Sequence, residues 1–155
     1  MVPSTQRLDA LVTLIDRWAP GASLQDETDQ IVSVLHLPAG DVPVFVRLLP
    51  EPQLVQLVAF LPCELRPTAM ADTGRFLHLI NKGLDRPGLG IDEVFKVVFY
   101  RVVLPLRDGE WDEQQLRAAW EGLEGVIETF AESIKPVAKG SMDFHDVIEL
   151  LAQEG

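Results

Sequence analysis

The sequence is short of cysteine, of positive charge and of long apolar runs, and each shortage removes a class of protein. Cys63 is the only cysteine, so no internal disulfide can staple the chain, which suits a reducing compartment. Lys and Arg number 13 against 24 Asp and Glu, giving a formal net charge of −11 and a pI of about 4.6. Nucleic-acid backbones and anionic membranes are bound through Lys and Arg, and here those residues are few and scattered, so neither is expected as a partner. A strong negative field keeps a chain soluble and steers it towards basic partners. The longest apolar run, Val97 to Leu106, is interrupted by Arg101 and Pro105 and falls far below the ~20 residues that span a bilayer. Met1 to Ala10 has no basic segment followed by an apolar one, so no secretory signal is expected and the chain reads as cytoplasmic.

What is present is enough for one domain, residues 1–155, able to bury a core without staples. Apolar residues make up 47% and charged residues 24%, which is too apolar for a disordered chain. Some of the apolar surplus can lie in an interface rather than the core. No repeat, low-complexity tract or domain linker interrupts the chain.

Periodicity sets the elements. Ser4 to Trp18 reads as an amphipathic helix capped by Ser4, with Leu8, Leu11, Val12, Ile15 and Trp18 on one stripe. Pro20-Gly21 ends it, and Gly21 to Gln30 reads as a polar loop or irregular edge. Three apolar runs follow, Ile31 to Leu37, Val42 to Leu49 and Leu54 to Leu61, joined by short proline-bearing links that suit an antiparallel meander. Thr68 is placed to cap a second helix through about Lys82, with Ala69, Thr73, Phe76, Leu77 and Ile80 as its stripe and Gly83 as its stop. Gly74 inside this helix costs about 1 kcal/mol relative to Ala and suits a close backbone approach, such as a helix–helix contact.

Leu89 to Asp92 and Lys96 to Leu106 read as two further strands around a Glu93-Val94-Phe95 turn, and Asp108-Gly109 closes the sheet region. The third helix opens with a capping-box spacing at Asp112 and Gln115. Its stripe is Leu116, Ala119, Trp120, Leu123, Val126, Ile127, Phe130 and Ile134, and Pro136 ends or kinks it. Gly140-Ser141 starts a last short helix with Phe144, Val147, Ile148 and Leu151 as its stripe. The expected fold is therefore α+β, an antiparallel five-stranded sheet flanked by helices in the order α-βββ-α-ββ-α-α.

Two of the strands are apolar on both alternations. In Val42 to Leu49, Val44, Val46 and Leu48 point one way and Phe45 and Leu49 the other; in Leu54 to Leu61, Leu54, Val58 and Phe60 oppose Val55, Leu57 and Leu61. An antiparallel sheet with one wet face alternates apolar and polar residues, so this sheet is expected to be covered on both faces, by helices on both or by a second subunit on one.

No catalytic or cofactor constellation emerges. His36, His78 and His145 sit on separate elements, without a partner at metal-ligand spacing. Cys63 has no base beside it. Gly88-Leu89-Gly90 leads into a strand, whereas a dinucleotide loop must open a helix. Carboxylate pairs such as Glu124 and Glu128 read as a solvated helix face. The chain is thus expected to be a non-enzymatic protein with no cofactor and no metal.

The segment Arg75-Phe76-Leu77-His78-Leu79-Ile80-Asn81, followed by Tyr100-Arg101 and Leu104-Pro105-Leu106, resembles YbjN-like bacterial domains. The capped helix from Asp112 and the closing segment from Gly140-Ser141 fit the same pattern, which covers about Asp9 to Glu154. The resemblance implies a type III secretion chaperone-like fold, in which small acidic proteins, commonly homodimers, hold extended client segments against apolar patches. It implies a dimer contact at the middle helix, making Phe76, Leu77 and Ile80 candidates for self-association, with packing on the chain's own sheet as the alternative. The expected function is a chaperone-like homodimeric module that holds a client protein; the alternative is a regulator of signalling or stress response that binds a folded partner.

Overall fold

In a computed structural model, residues 4–51 and 53–154 are described, the side chains of residues 4 and 5 excepted. The elements follow as α1 (Ser4–Trp18), β1 (Ser23–Gln25), β2 (Gln30–Leu37), β3 (Gly40–Leu49), β4 (Leu54–Phe60), α2 (Met70–Gly83), β5 (Leu89–Asp92), β6 (Val97–Pro105), α3 (Glu113–Ala138) and α4 (Phe144–Glu154). All strand pairs are antiparallel. The sheet has six strands in the order β1-β2-β3-β4-β6-β5, where five were expected.

The sixth strand is β1, in the stretch expected as a loop or irregular edge. It is only Ser-Leu-Gln, and Leu24 is its single apolar residue, so periodicity has nothing to detect. Pairing with Val32, Ile31 and Gln30 makes it a strand, helped by the turn at Asp29, whose φ of 52° lies in the left-handed region. At the other end of the sheet, Asp108 and Gly109 have φ of 52° and 76° between the bridged Arg107 and Glu110. This is the turn that Asp-Gly favours, because its twist matches that of the strands it joins.

The core lies between one sheet face and the helices. Val42, Val44 and Val46 of β3 and Val55, Leu57 and Ala59 of β4 are all sealed from solvent on this face. Against them pack Leu11 and Ile15 of α1 and Leu116, Leu123, Ile127 and Ile134 of α3. Trp18 and Trp120 tie α1 to α3, with ring centroids 6.3 Å apart. Of the expected α3 stripe, Val126 and Phe130 are only half-buried; Ala131 and Val137 complete it.

Both ends of α2 differ from the expectation, and the cap of α1 is not described. The Ser4 cap falls on a side chain outside the described ones. Thr68 does not cap α2: it sits in a 3-10 turn, Pro67–Ala69, and the turn's own Met70 N–H to Pro67 carbonyl bond leads into the helix. Gly83 does not take a left-handed conformation; the Leu84 N–H closes the helix on the Asn81 carbonyl.

The third helix runs past Pro136 to Ala138. Gly140, with φ 81°, and Ser141 then end it rather than start the next. The Gly140 N–H reaches the Val137 carbonyl and the Ser141 N–H the Pro136 carbonyl, the Schellman pairing that satisfies the last free carbonyls. The fourth helix instead begins behind Asp143, whose carboxylate accepts from the Asp146 N–H at 2.8 Å, while Asp146 accepts from the Asp143 N–H at 2.9 Å. At the start of α3 the Asp112 carboxylate accepts from the Gln115 N–H at 3.0 Å, as the sequence spacing predicts.

Gly74 faces β5 and not another helix. A Cβ there would meet Ile91 Cδ1 at 3.9 Å, an ordinary contact. Gly74→Ala is therefore expected to raise stability by roughly 0.5–1 kcal/mol, by helix propensity and reduced freedom of the unfolded chain. A urea titration would read this as a higher midpoint, and a lower midpoint would mean that α2 needs the bare backbone.

Candidate functional site

Phe76, Leu77 and Ile80 lie on the inward side of α2 and are 6%, 2% and 7% exposed. All belong to the chain's own core cluster, so their side chains do not form an outer surface of this chain. The histidines stand apart on β2, α2 and α4 and are all exposed. His36 contacts Asp41 at 2.7 Å and His145 contacts Glu149 at 3.2 Å, both at the surface. Among the described residues no group of three His, Cys, Asp or Glu is arranged to hold a metal ion. Glu124 is half-buried and Glu128 exposed on α3. Burial pushes the Cys63 thiol above its ordinary pKa, against a smaller downward pull from the Lys135 ammonium. That favours the unreactive thiol over the nucleophilic thiolate at neutral pH.

The segment around Asn81 builds a junction. The Asn81 side chain accepts from the Gly88 N–H at 3.1 Å and the Leu89 N–H at 3.0 Å, and donates to the Leu89 carbonyl at 2.9 Å. One carboxamide therefore serves the free edge of β5 as a neighbouring strand would. The Tyr100 hydroxyl donates to the Arg86 carbonyl at 2.7 Å, and the Arg101 N–H to the Gly88 carbonyl at 3.0 Å. A Cβ at Gly88 would run into the Arg101 carbonyl oxygen, so the glycines that lead into β5 provide close packing. Arg75 points outward, its guanidinium 3.9 Å from the centre of the Phe144 ring, and holds the start of α4.

The opposite side of the sheet carries the functional candidate. Among the described residues no helix of the core lies there, and its residues are the second alternation of the same strands. Register places Val32 beside Phe45, Phe45 beside Val58 and Val58 beside Arg101. A second row runs Phe60, Phe99, Gly90, and a third Arg47, Gln56, Val103. Phe45 and Phe60 meet edge to face at 5.5 Å. The Phe99 ring lies across Gly90, where a Cβ would stand 2.7 Å from it. Val32, Phe45, Val58, Phe60 and Phe99 are half-buried, while Val34 and Val103 are exposed. Together the aromatic rings, Arg47, Gln56 and Arg101 line a shallow depression of about 450 Å³.

The charges on this face are unusual for so acidic a chain. Its middle holds the exposed Arg47 and Arg101, the latter 5.4 Å from the centre of the Phe99 ring. The acids lie at its margins and are engaged: Asp41 with His36, and Asp92 with the Val94 and Phe95 N–H groups, each at 3.0 Å. Those two bonds fix the β5–β6 turn and present Val94 and Phe95 to solvent at 82% and 76% exposure. The sequence signal for the face is the apolar second alternation of β3 and β4, although among the described residues no helix supplies the expected cover of that alternation.

These features define an α+β domain whose sheet is packed by helices on one face and presents aromatic and apolar residues on the other. The chain belongs to the YbjN family, described as "putative bacterial sensory transduction regulator", which it matches over residues 8–136. That match runs from within α1 to Pro136 in the last turn of α3 and leaves α4 outside it. A comparison with curated proteins found no match. No helix among the described residues is long and apolar enough to cross a membrane.

Asn81→Leu removes the groups that satisfy two N–H donors and one carbonyl, and is expected to cost about 2–4 kcal/mol. Amide exchange should speed up first at Gly88 and Leu89; unchanged protection there would show that the junction does not depend on the carboxamide. For Phe76→Ala the expected loss is about 3–5 kcal/mol, and Phe76→Glu should not fold. A folded Phe76→Glu monomer by circular dichroism and light scattering would mark Phe76 as a contact residue instead. Cys63 should react with a disulfide reagent at pH 8 more slowly in the folded chain than in urea, and equal rates would contradict its burial.

Proposed function

We propose that this chain is a non-enzymatic cytoplasmic regulator that acts by binding a partner protein across its open sheet face. The observation that carries this reading is the set of half-buried Phe45, Val58, Phe60 and Phe99 side by side, with no covering element among the described residues. A wet antiparallel face ordinarily shows polar residues at these positions, and a contiguous apolar patch marks an interaction surface. The two arginines in its middle supply orientation. They favour a partner segment that presents apolar side chains flanked by carboxylates, because each unpaired guanidinium gains a charge-assisted bond on docking. The family description, a regulator of sensory transduction, supports a regulatory role.

A chaperone-like reading uses the same surface with a different occupant. The type III secretion chaperone-like fold that the YbjN resemblance implies would support it, and the depression between the aromatic rings is of a size to take side chains of an extended client segment. The two occupants separate in a simple assay: a chaperone suppresses aggregation of an unfolding client at stoichiometric ratios, whereas a dedicated regulator does not.

The test of the regulatory reading is complementation. A bacterial strain lacking the gene is supplied with the wild-type chain, with Val58→Glu, or with a Glu128→Gln control on the helical side, and its transcripts are compared. Val58→Glu should leave the melting temperature within a few degrees yet fail to restore the wild-type transcript pattern. If it restores the pattern as well as the control does, the face is not the working surface.

A further inference from the structure

The exposed large apolar side chains of the described residues fall in three places: Val34 and Val103 on the open sheet face, Val94 and Phe95 at the β5–β6 turn, and Ile148, Leu150 and Leu151 on α4. The third set is informative about the first. The α4 stripe begins properly packed, with Phe144 under Arg75 and Val147 buried. It then outruns the surface that covers it, and the next turn leaves Ile148, Leu150 and Leu151 at 41%, 46% and 46% exposure. The same short segment, Asp143 to Glu154, holds four carboxylates and no Lys or Arg. Its exposed half is thus an apolar ridge flanked by acids, the chemistry that Arg47, Arg101 and the phenylalanines of the open face call for.

We infer that α4 of one copy docks on the open sheet face of a second copy, so that the chain associates with itself through two different patches. The inference rests on the reading of that face as a binding surface and names one occupant for it. Charge decides among the possible pairings. Joining two sheet faces would set Arg47 and Arg101 of both copies in one interface, and joining two α4 helices would do the same with their carboxylates. Like charges brought together in an interface oppose docking; only the helix-on-face pairing sets opposite charges together. A helix cannot serve its own chain in this way, because α4 packs beside α2 on the helical side of the sheet and the open face lies on the other. The contact is therefore between copies, head to tail, and such contacts close into a ring or run on as an open chain.

The test uses full-length chains that differ only at exposed positions. Light scattering on the wild-type chain should give twice the 17.2 kDa chain mass or a higher multiple. An Arg47→Glu/Arg101→Glu chain, with a damaged face and an intact helix, and a Leu151→Glu chain, with an intact face and a damaged helix, should each fall to the monomer mass. Mixing the two should restore a dimer, since one good face and one good helix remain. Ile148→Glu replaces Leu151→Glu should the latter not fold. A monomeric wild type at 100 µM overturns the inference, and so does a mixture of monomeric variants that stays monomeric, which a symmetric interface would give. Failure here leaves the partner reading intact if Val58→Glu still fails to complement, and that reading falls alone if Val58→Glu complements while the mixture dimerises.

Discussion

The Asn81 carboxamide pins the edge strand β5 to the end of α2. The chain leaves the meander at β4, crosses by α2 and must return to the sheet beyond β6, at β5. That return is four residues long and has a neighbouring strand on only one side. Unpaired, its outward N–H and carbonyl groups would be a template for foreign strands. Asn81, at the end of α2, fills that role with its own amide, and Tyr100 and Gly88 bring the loop close enough for it to do so. The side chains that look like a family signature in the sequence thus act in concert. Phe76, Leu77 and Ile80 seat α2 in the core, Asn81 fixes β5 and Arg75 receives α4.

This arrangement explains why some of the molecule is legible in the sequence and some is not. The helices α1, α2 and α3 follow from spacing, because burial against the sheet repeats every three or four residues in a helix, and the strands from β2 to β6 follow from short apolar runs bounded by proline, glycine and acidic turns. The strand β1 has too few residues to show a period. Helix ends are local competitions between caps of similar strength: Thr68 lost to a 3-10 turn, and Gly140 proved to be a stop because the αL conformation serves a helix end better than a start. Most of the open face can be read in the second alternation of β3 and β4. Its lack of cover cannot, since spacing reports that a residue is apolar and not what lies above it. For the same reason Phe76 could be read as a contact or as core until the direction of α2 was known.

The two faces of the sheet differ in charge as well as cover. The outward side of α3 carries Glu113, Glu121, Glu124, Glu128 and Glu132, so the helical side accounts for much of the negative field. The open face concentrates aromatic rings and holds its arginines in the middle. A partner approaching from solution meets repulsion or attraction according to which side it faces, and long-range fields of this kind orient an encounter before any contact forms. Growth of the sheet from its β5 edge is hindered by Asn81, so recognition by strand addition is disfavoured there and recognition across the face is what the architecture leaves open.

Tryptophan is confined to one side of the sheet, which Phe76, Phe130 and Phe144 share. Trp18, Trp120 and Trp111 all pack on the helical side, Trp111 beside Leu104 and Val55, while the open face uses only phenylalanine for its rings. Indole emission therefore senses the seam between α1 and α3 and is remote from anything that settles on the sheet's other surface. In optical terms the molecule keeps its core and its open face on separate channels: intrinsic fluorescence follows loosening of the helical layer, and an added tryptophan on a ligand would report occupancy against a background that is already assigned.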